Sequence, residues 1–206
     1  GLEIESIGAS TNLLDQGSRD RFLRLMESAS KLGASAITTG SGGKADDESS
    51  FKEVVETLNG LAGAASDTGV RISIKPHVRA AVYSTRTALR FMNEVDPGWI
   101  GLNVDASHLW RTPEQEIPED SIPRLAPYIV TARIRDTLNR DIPIGPVETQ
   151  IPGKGGMDIP ALCAAFQAVE GLTCTTLEIV GSKGFSLSEV QRVVETCKGI
   201  LDPHFT

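Results

Sequence analysis

The stretch that decides the fold is residues 100–108, which read Ile-Gly-Leu-Asn-Val-Asp-Ala-Ser-His. Successive side chains of an extended chain point to opposite faces, so Leu102 and Val104 share one face. Asn103 and Asp105 share the other face. A parallel strand that helices cover on both sides is typically apolar on both faces. The polar face therefore predicts a strand that lines the lumen of a barrel rather than one in an open sheet.

Three other segments repeat this alternation, and each places charged side chains on its polar face near its carboxyl end. The charged residues are Lys75 in the first segment, Arg133 and Arg135 in the second, and Glu178 in the third. Two further short apolar runs complete the set of predicted strands. The six strands are residues 2–7, 34–39, 71–75, 100–105, 129–135 and 173–179.

Amphipathic segments alternate with these strands. Apolar residues at helical spacing predict helices over residues 18–32, 50–65, 84–95, 158–169 and 186–201. Ser50 with Glu53, and Ser186 with Glu189, fit the capping-box pattern at two of the helix starts. Strict alternation of strand and helix is typical of βαβ units in a parallel sheet. The prediction is an α/β fold of the TIM (β/α)8 type.

No linker divides the chain, so residues 1–206 are predicted to form a single domain. The irregular stretch 137–156 is longer than an ordinary connection and is interpreted as a functional loop. Twenty Lys and Arg against 27 Asp and Glu give a formal charge of -7, which disfavours nucleic acid as a partner. No run approaches the roughly 18 apolar residues of a membrane helix, so no membrane association is predicted. Three cysteines without a CxxC spacing predict no disulfide framework or zinc knuckle, and we expect a cytoplasmic location.

Four charged residues are last or nearly last in their predicted strands: Lys75, Asp105, Arg133 and Glu178. The carboxyl ends of the strands of a barrel meet at one rim, where active sites form, so we expect these side chains to converge on one pocket. Buried charges of both signs are unfavourable unless they serve a purpose. The alternative interpretation is two ordinary salt bridges at the mouth of the barrel.

Six stretches of the chain resemble the sugar phosphate isomerase/epimerase superfamily of xylose isomerase-like TIM barrels, which includes the second family of AP endonucleases. They include Gly-Val-Arg-Ile-Ser-Ile-Lys-Pro-His at 69–77 and Pro-Gly-Lys-Gly-Gly-Met-Asp at 152–158, and the others are residues 32–37, 100–108, 129–136 and 176–179. The resemblance starts at the family's third strand, which implies that this chain covers about six βα units of the barrel. Either upstream sequence or another chain, such as a second copy in a homo-oligomer, would then complete the open sheet.

The resemblance also implies a divalent metal site, because the family holds one ion through Glu, Asp, His and Glu. Asp105 and Glu178 match the family's Asp and its last Glu. Lys75 and Arg133 stand where the family has Glu and His, and a protonated amine or guanidinium offers a metal no lone pair. We therefore expect no cofactor, with the two cations in the metal's place. The alternative is a divalent ion (Mn, Mg, Co or Zn) held by Asp105 and Glu178.

Four further residues are candidates for contacts with a substrate. His108 and His77 match positions where the family has histidines, although His77 fits packing equally well. Lys154 lies in a Gly-rich loop whose family counterpart flanks the pocket, which makes it a candidate for binding an anionic group. Arg135 shares the polar strand face with Arg133.

Together these features predict an isomerase or epimerase that acts on a sugar, sugar phosphate or polyol without a metal. Glu178 would take a proton next to a carbonyl, while Lys75 and Arg133 stabilise the enediolate oxygens. Asp105 would orient the two cations. Two alternatives stay open: a lyase that uses Lys75 as a Schiff-base nucleophile or acts as a dehydratase, and a catalytically dead protein that binds a sugar or a partner protein. The expected ligand of the enzyme is a small carbohydrate-like molecule.

Overall fold

The computed structural model describes residues 3–140 and 143–205 of the chain. Its centre is one sheet of six parallel strands that follow one another in chain order. The strands are β1 (Ser6–Gly8), β2 (Ala36–Gly40), β3 (Arg71–Lys75), β4 (Ile100–Asp105), β5 (Ile129–Ile134) and β6 (Thr176–Leu177). Each strand pairs in parallel with the next, and the sheet curves into a half-barrel. The predicted α/β fold of the TIM type is confirmed as a partial barrel.

The two outermost strands are shorter than the sequence predicts. Of the predicted strand 2–7, only residues 6 and 7 are strand, and β1 extends one residue further to Gly8. Residue 2 lies outside the described part of the chain. Of residues 173–179, only the two residues of β6 are strand. An outermost strand has a neighbour on one side only, so fewer hydrogen bonds hold its ends.

The described part of the chain contains eight α-helices. They are α1 (Gln16–Lys31), α2 (Glu48–Thr68), α3 (Thr85–Met92), α4 (Ala106–Trp110), α5 (Pro118–Leu125), α6 (Val147–Gln150), α7 (Ile159–Gln167) and α8 (Leu187–Leu201). Five of them correspond to the predicted helices. No helix is predicted from the sequence at α4, α5 or α6. The helices α4 and α6 have only 5 and 4 residues, too few to show a helical period, and α5 contains Pro118 and Pro123. The predicted loop 137–156 contains α6, and its residues 141 and 142 lie outside the described part of the chain.

Side chains cap the starts of most helices. At α8, Ser186 forms the predicted capping box with Glu189. The box predicted for Ser50 and Glu53 is wrong, because α2 begins earlier and has Asp47 as its N-cap. The carboxylate of Asp47 accepts the backbone N–H of Ser50 at 3.0 Å. An Asp caps a helix as well as a Ser does, so a polar run with several candidates does not specify the first residue.

The two faces of the sheet have different environments. On the outer face, Ile72 and Leu102 are fully buried in a core that includes Phe22, Phe91 and Phe166 from α1, α3 and α7. Burial of such side chains stabilises a fold by about 1.5–3 kcal/mol each.

On the inner face, the Oγ of Ser73 in β3 lies 2.8 Å from the Oγ1 of Thr131 in β5, across the lumen from one non-adjacent strand to another. Both hydroxyls are buried, and a buried polar group needs a partner to offset its desolvation. The polar strand faces therefore line a narrow, hydrogen-bonded lumen.

Within residues 3–140 and 143–205, no helix combines the length and the apolar character that a membrane span requires. Cys163 and Cys197 are buried, Cys174 is exposed, and all three are free thiols. The three cysteines therefore form no disulfide with one another in this structure.

Gly101 in β4 occupies a position where no side chain fits. An added Cβ would lie 2.3 Å from Val130 Cγ2 and 2.8 Å from the carbonyl oxygen of Tyr128. We expect Gly101→Ala to lower the free energy of unfolding by about 1–3 kcal/mol, the usual penalty for overpacking, in urea denaturation. The control is Gly63→Ala in α2, where a Cβ meets nothing within 4 Å and alanine stabilises a helix by about 1 kcal/mol. Equal stability of the two variants would contradict the close approach of β4 and β5.

Candidate active site

Lys75 joins two carboxylates at the carboxyl end of the sheet. Its Nζ lies 3.3 Å from Asp105 Oδ2 and 2.7 Å from Glu178 Oε2. Lys75 is the last residue of β3, Asp105 is the last residue of β4, and Glu178 directly follows β6. The side chain of Asp105 is fully buried, and that of Lys75 is 15% exposed. The strand ends thus bring three of the predicted site residues into one ion-pair network.

Arg135 makes a second bridge between the same carboxylates. Its Nη2 lies 2.8 Å from Asp105 Oδ2, and its Nη1 lies 3.5 Å from Glu178 Oε1. Its Nε donates a hydrogen bond to the Oγ of Ser107 at 2.8 Å. Arg135 is 3% exposed. The structure therefore places this residue, which the sequence suggests as a substrate contact, inside the network as a partner of both acids.

Arg133 binds a different pair of acids. Its Nε lies 3.6 Å from Glu178 Oε2, and its Nη1 lies 3.4 Å from Glu5 Oε2. Its Nη2 also donates to the Oγ of Ser6 at 3.3 Å. Asp105 is not among the ion-pair partners of Arg133 in the described part of the chain, because Arg135 and Lys75 fill that position. Glu5 is a member of the network that sequence reasoning missed, because it carries no motif and its partners Arg133 and Thr176 lie far away in the chain.

Asp105 is held by hydrogen bonds as well as by charge. Its Oδ1 accepts the backbone N–H of Ser107 at 3.0 Å and the hydroxyl of Ser107 at 2.7 Å, and it thereby caps α4. Burial alone would raise the pKa of Asp105, but the adjacent Arg135 and Lys75 hold it well below its usual range. This carboxylate therefore stays ionised and fixed in position.

The two predicted pocket histidines stack on each other. The ring centroids of His77 and His108 lie 4.1 Å apart with the planes inclined by 38°. His108 is 4% exposed, and its Nε2 lies 3.3 Å from Arg135 Nη2. Burial lowers the pKa of His108 to about 3, although the nearby Asp105 acts in the opposite direction. His108 is thus a neutral imidazole, which can accept one hydrogen bond and donate another.

A cavity of about 800 Å³ adjoins this network. Six of the predicted site residues line it: Lys75, His77, His108, Arg133, Arg135 and Glu178. Asp105 lies behind them. Lys154 is exposed and does not belong to the lining. The structure therefore collects seven of the eight predicted residues at one place and leaves Lys154 outside.

The Gly-rich loop that contains Lys154 is held by the carboxylate of Asp136. The carboxylate of Asp136 accepts the backbone N–H groups of Gly153 and Gly155 at 2.9 Å and that of Met157 at 3.2 Å. A Cβ at position 155 would lie 2.1 Å from this carboxylate, so only glycine allows the approach. The Gly-rich loop is therefore shaped by a structural contact.

Asn103 is a site residue without a motif. It lines the cavity, it is 1% exposed, and its Oδ1 has no hydrogen-bond partner among the described residues. An unpaired buried amide oxygen is unfavourable by about 1–3 kcal/mol unless a ligand or water satisfies it. The alternation of β4 places this side chain on the lumen face, which is the only signal that the sequence offers for it.

The two acids that could hold a divalent ion are both paired with cations. Asp105 and Glu178 are the two acids that the family's metal would bind, and both are already bridged by Lys75 and Arg135. Within the described residues, no group of three or more His, Cys, Asp or Glu side chains is arranged to hold a metal. A cation in this position would meet two fixed positive charges at close range.

Comparisons with known proteins agree with this fold. The family model described as xylose isomerase-like TIM barrel matches residues 6–194. No curated protein matches the sequence significantly. Three similar solved structures each share 21% identity or less, a level that shows the fold alone.

The first is the IOLI protein with a zinc atom bound (TM-score 0.77, 21% identity, 98% of this chain and 77% of that chain). The second is the probable 3-DHS dehydratase AsbF from Bacillus anthracis (TM-score 0.74, 16% identity, 95% and 74%). The third is the D-psicose 3-epimerase from Clostridium cellulolyticum H10 with D-tagatose (TM-score 0.72, 14% identity, 96% and 77%).

The low pKa of His108 predicts a specific dependence of stability on pH. The unfolded chain takes up a proton at His108 near pH 6.5, whereas the folded chain does so only near pH 3, so stability falls as pH falls between these values. From pH 7 to pH 5 we expect the wild type to lose about 1–2 kcal/mol of unfolding free energy through this residue. The loss should be smaller by that amount in His108→Gln. Urea denaturation at both pH values measures it.

The control is His204→Gln in the C-terminal 3-10 helix Asp202–His204, which should leave the pH dependence unchanged. The same slope in His108→Gln and in the wild type would mean that His108 is charged in the folded protein.

Proposed function

Because the chain belongs to the xylose isomerase-like TIM barrel family, we propose that it is an isomerase or epimerase of a sugar, sugar phosphate or polyol. The reaction would begin with removal of a proton from the carbon next to a carbonyl. One observation carries the proposal: Glu178 is the only carboxylate among the described residues that line the cavity, and it lies against three cations. A base beside fixed positive charge is what this chemistry needs.

The positive charges match the place where negative charge develops. Removal of the proton moves an electron pair onto the carbonyl oxygen and gives an enediolate. Lys75, Arg133 and Arg135 all line the cavity around Glu178, and their N–H groups can donate to that oxygen and to the adjacent hydroxyl. Because Asp105 pairs with both Lys75 and Arg135, it keeps these two donors in place before the reaction starts. Preorganised donors of this kind are usually the largest contribution to catalysis.

We propose that these cations replace the family's divalent ion. An ammonium and a guanidinium bridging the acids supply a charge comparable to that of a divalent metal at the same place. Both cations belong to the protein and are held in place by their ion pairs, so the site does not have to bind a metal before it can act. The support for this view is the donor set itself, in which the acids that could bind a metal are engaged by Lys75 and Arg135.

Asn103 is suited to bind a substrate hydroxyl. It lines the cavity, and its buried amide oxygen has no hydrogen-bond partner among the described residues. A sugar hydroxyl can donate to this oxygen. We assign Asn103 to orientation of the substrate, which decides which C–H bond faces Glu178. The ring nitrogens of His108 lie 3.3 Å from Arg111 Nη2 and Arg135 Nη2, so we assign His108 to positioning of these two guanidinium groups.

A lyase is the second candidate function. A dehydratase would start with the same proton removal at Glu178 and then expel a hydroxide from the neighbouring carbon. A Schiff base would require Lys75, whose Nζ already donates to Asp105 and Glu178, and this engagement favours a role in charge stabilisation. Reduction with borohydride in the presence of a ketose tests the point, because only a Schiff base leaves the sugar covalently attached to Lys75.

We further propose that the protein works in carbohydrate metabolism in the cytoplasm. The free thiols of Cys163, Cys174 and Cys197 support a reducing compartment.

The central test is Glu178→Gln. This change keeps the shape of the side chain but removes the base, so we expect the rate of proton exchange to fall by about 10²–10⁴-fold. The measurement is incorporation of solvent deuterium next to the carbonyl, followed by NMR on ketoses, ketose phosphates and cyclic polyol ketones. The control Glu56→Gln, an exposed position in α2, should exchange like the wild type.

Two outcomes would overturn the assignment. Equal exchange in the wild type and in Glu178→Gln would remove Glu178 from the catalytic step. No exchange by the wild type with any compound that it binds would indicate a catalytically dead binding protein.

The metal-free mechanism makes its own prediction. We expect the purified protein to contain no stoichiometric Mn, Mg, Co or Zn, and its exchange activity to survive dialysis against a chelator. Elemental analysis measures the metal content. One equivalent of metal per chain that disappears in Asp105→Ala would show that Lys75 and Arg135 move aside for an ion.

A further inference from the structure

The cavity is strongly cationic in an acidic protein. The chain carries a formal charge of -7, yet six of the described lining residues are Lys or Arg, and one is a carboxylate. The cationic residues are Lys75, Arg79, Arg111, Arg133, Arg135 and Arg140. A concave site with one sign of charge concentrates ligands of the opposite sign.

Half of these cations have no acidic partner. We call Arg79, Arg111 and Arg140 the outer arginines, because they are more exposed and lie on connections that follow β3, α4 and β5. Within residues 3–140 and 143–205, none of the outer arginines forms an ion pair. The other three cations all pair with acids. The positive charge of the cavity that no acid pairs with therefore lies at the outer arginines.

Two of the outer arginines are fixed by neutral groups. The Nε of Arg111 donates to the carbonyl oxygen of Ser107 at 3.0 Å. The Nη1 of Arg140 donates to the carbonyl oxygen of Glu116 at 2.7 Å, and its guanidinium carbon lies 3.4 Å from the ring centroid of Trp110. A carbonyl oxygen or an aromatic face holds a guanidinium in place without cancelling its charge. The Nη2 of Arg111 also lies 3.3 Å from His108 Nδ1. The N–H groups of both guanidinium groups that have no such partner stay available to a ligand.

The positive charge of Arg111 lies in an electrostatically unfavourable environment. Burial lowers its pKa and the positive charge of the nearby Arg135 lowers it further, while the negative charge of Asp105 acts in the opposite direction without reversing the shift. A bound anion would relieve this repulsion, whereas a neutral sugar would not.

We propose that the outer arginines form an anion-binding subsite, which takes the phosphate or carboxylate group of a sugar-like substrate whose reacting carbon lies at Glu178. The inference rests on the proposed function and narrows its substrate class to sugar phosphates and sugar acids. The planar fork of a guanidinium matches the oxygens of both groups. Binding energy gained at the anionic group of the substrate can be used to hold the reacting carbon against the base Glu178.

The experiment measures anion binding directly, without turnover. Isothermal titration calorimetry at constant ionic strength uses three probes: inorganic phosphate, gluconate and the uncharged sorbitol. We expect the wild type to bind at least one of the two anions more tightly than sorbitol. The anion that binds better identifies the group as phosphate or carboxylate.

Variants locate the subsite. We expect Arg79→Gln, Arg111→Gln and Arg140→Gln each to weaken anion binding about tenfold or more, because each loses a charged hydrogen bond. The matched control is Arg192→Gln, an exposed position in α8 with the same change of charge, which should bind as the wild type does. Because Arg140 also packs on Trp110, Arg140→Lys is included: it keeps the charge and should retain more affinity than Arg140→Gln.

Three results would overturn the subsite. They are unchanged anion affinity in all three Gln variants, loss of affinity in Arg133→Gln alone, and no anion binding by the wild type. Failure of the proposed function has a different signature. Anion binding that depends on the outer arginines, without any deuterium exchange, would support the subsite and contradict the proposed isomerase activity. Deuterium exchange on uncharged ketoses without anion binding would support the activity and contradict the subsite.

Discussion

The ionised carboxylate of Asp105 is the group on which the rest of the site depends. It has no exposed surface, and Lys75 and Arg135 reach it from the two neighbouring strands. A buried charge of this kind is tolerated only with close partners, and removal of one partner from such a network typically destabilises a protein by about 3–5 kcal/mol. Because the same two cations also bind Glu178, the position of the proposed base follows from the burial of Asp105. The stability of the fold and the geometry of the proposed base therefore depend on the same contacts.

Much of this arrangement follows from the alternation of polar and apolar residues along the strands. The alternation in residues 71–75 and 100–105 places Lys75 and Asp105 on the lumen face, and parallel strands bring their carboxyl ends together. The same argument places Glu178 beyond β6. The distinction between Arg133 and Arg135 does not follow from periodicity, because both have the same parity. The strand register pairs Asp105 with Arg133, yet the guanidinium that reaches Asp105 is that of Arg135.

Other features lie beyond sequence reasoning for equally physical reasons. Glu5 enters the network only because the sheet curves, so that the first strand faces the last two. Lys154 matches a family loop in sequence, but the hydrogen bonds of Asp136 to that loop decide its direction. The outer arginines come from connections without regular structure, and only the three-dimensional fold brings such positions to the lining of one cavity.

The contacts of Glu5 have a consequence for how the molecule folds. Its Oε2 accepts the hydroxyl of Thr176, 171 residues away, and lies 3.4 Å from Arg133, 128 residues away. The strand pairs of the sheet join nearest neighbours in the chain, so their loops are far shorter. Long loops are entropically expensive to close and tend to form late. We therefore expect the sheet to assemble by successive βα units, while the polar lumen, and with it the proposed base, reaches its native geometry in the final step.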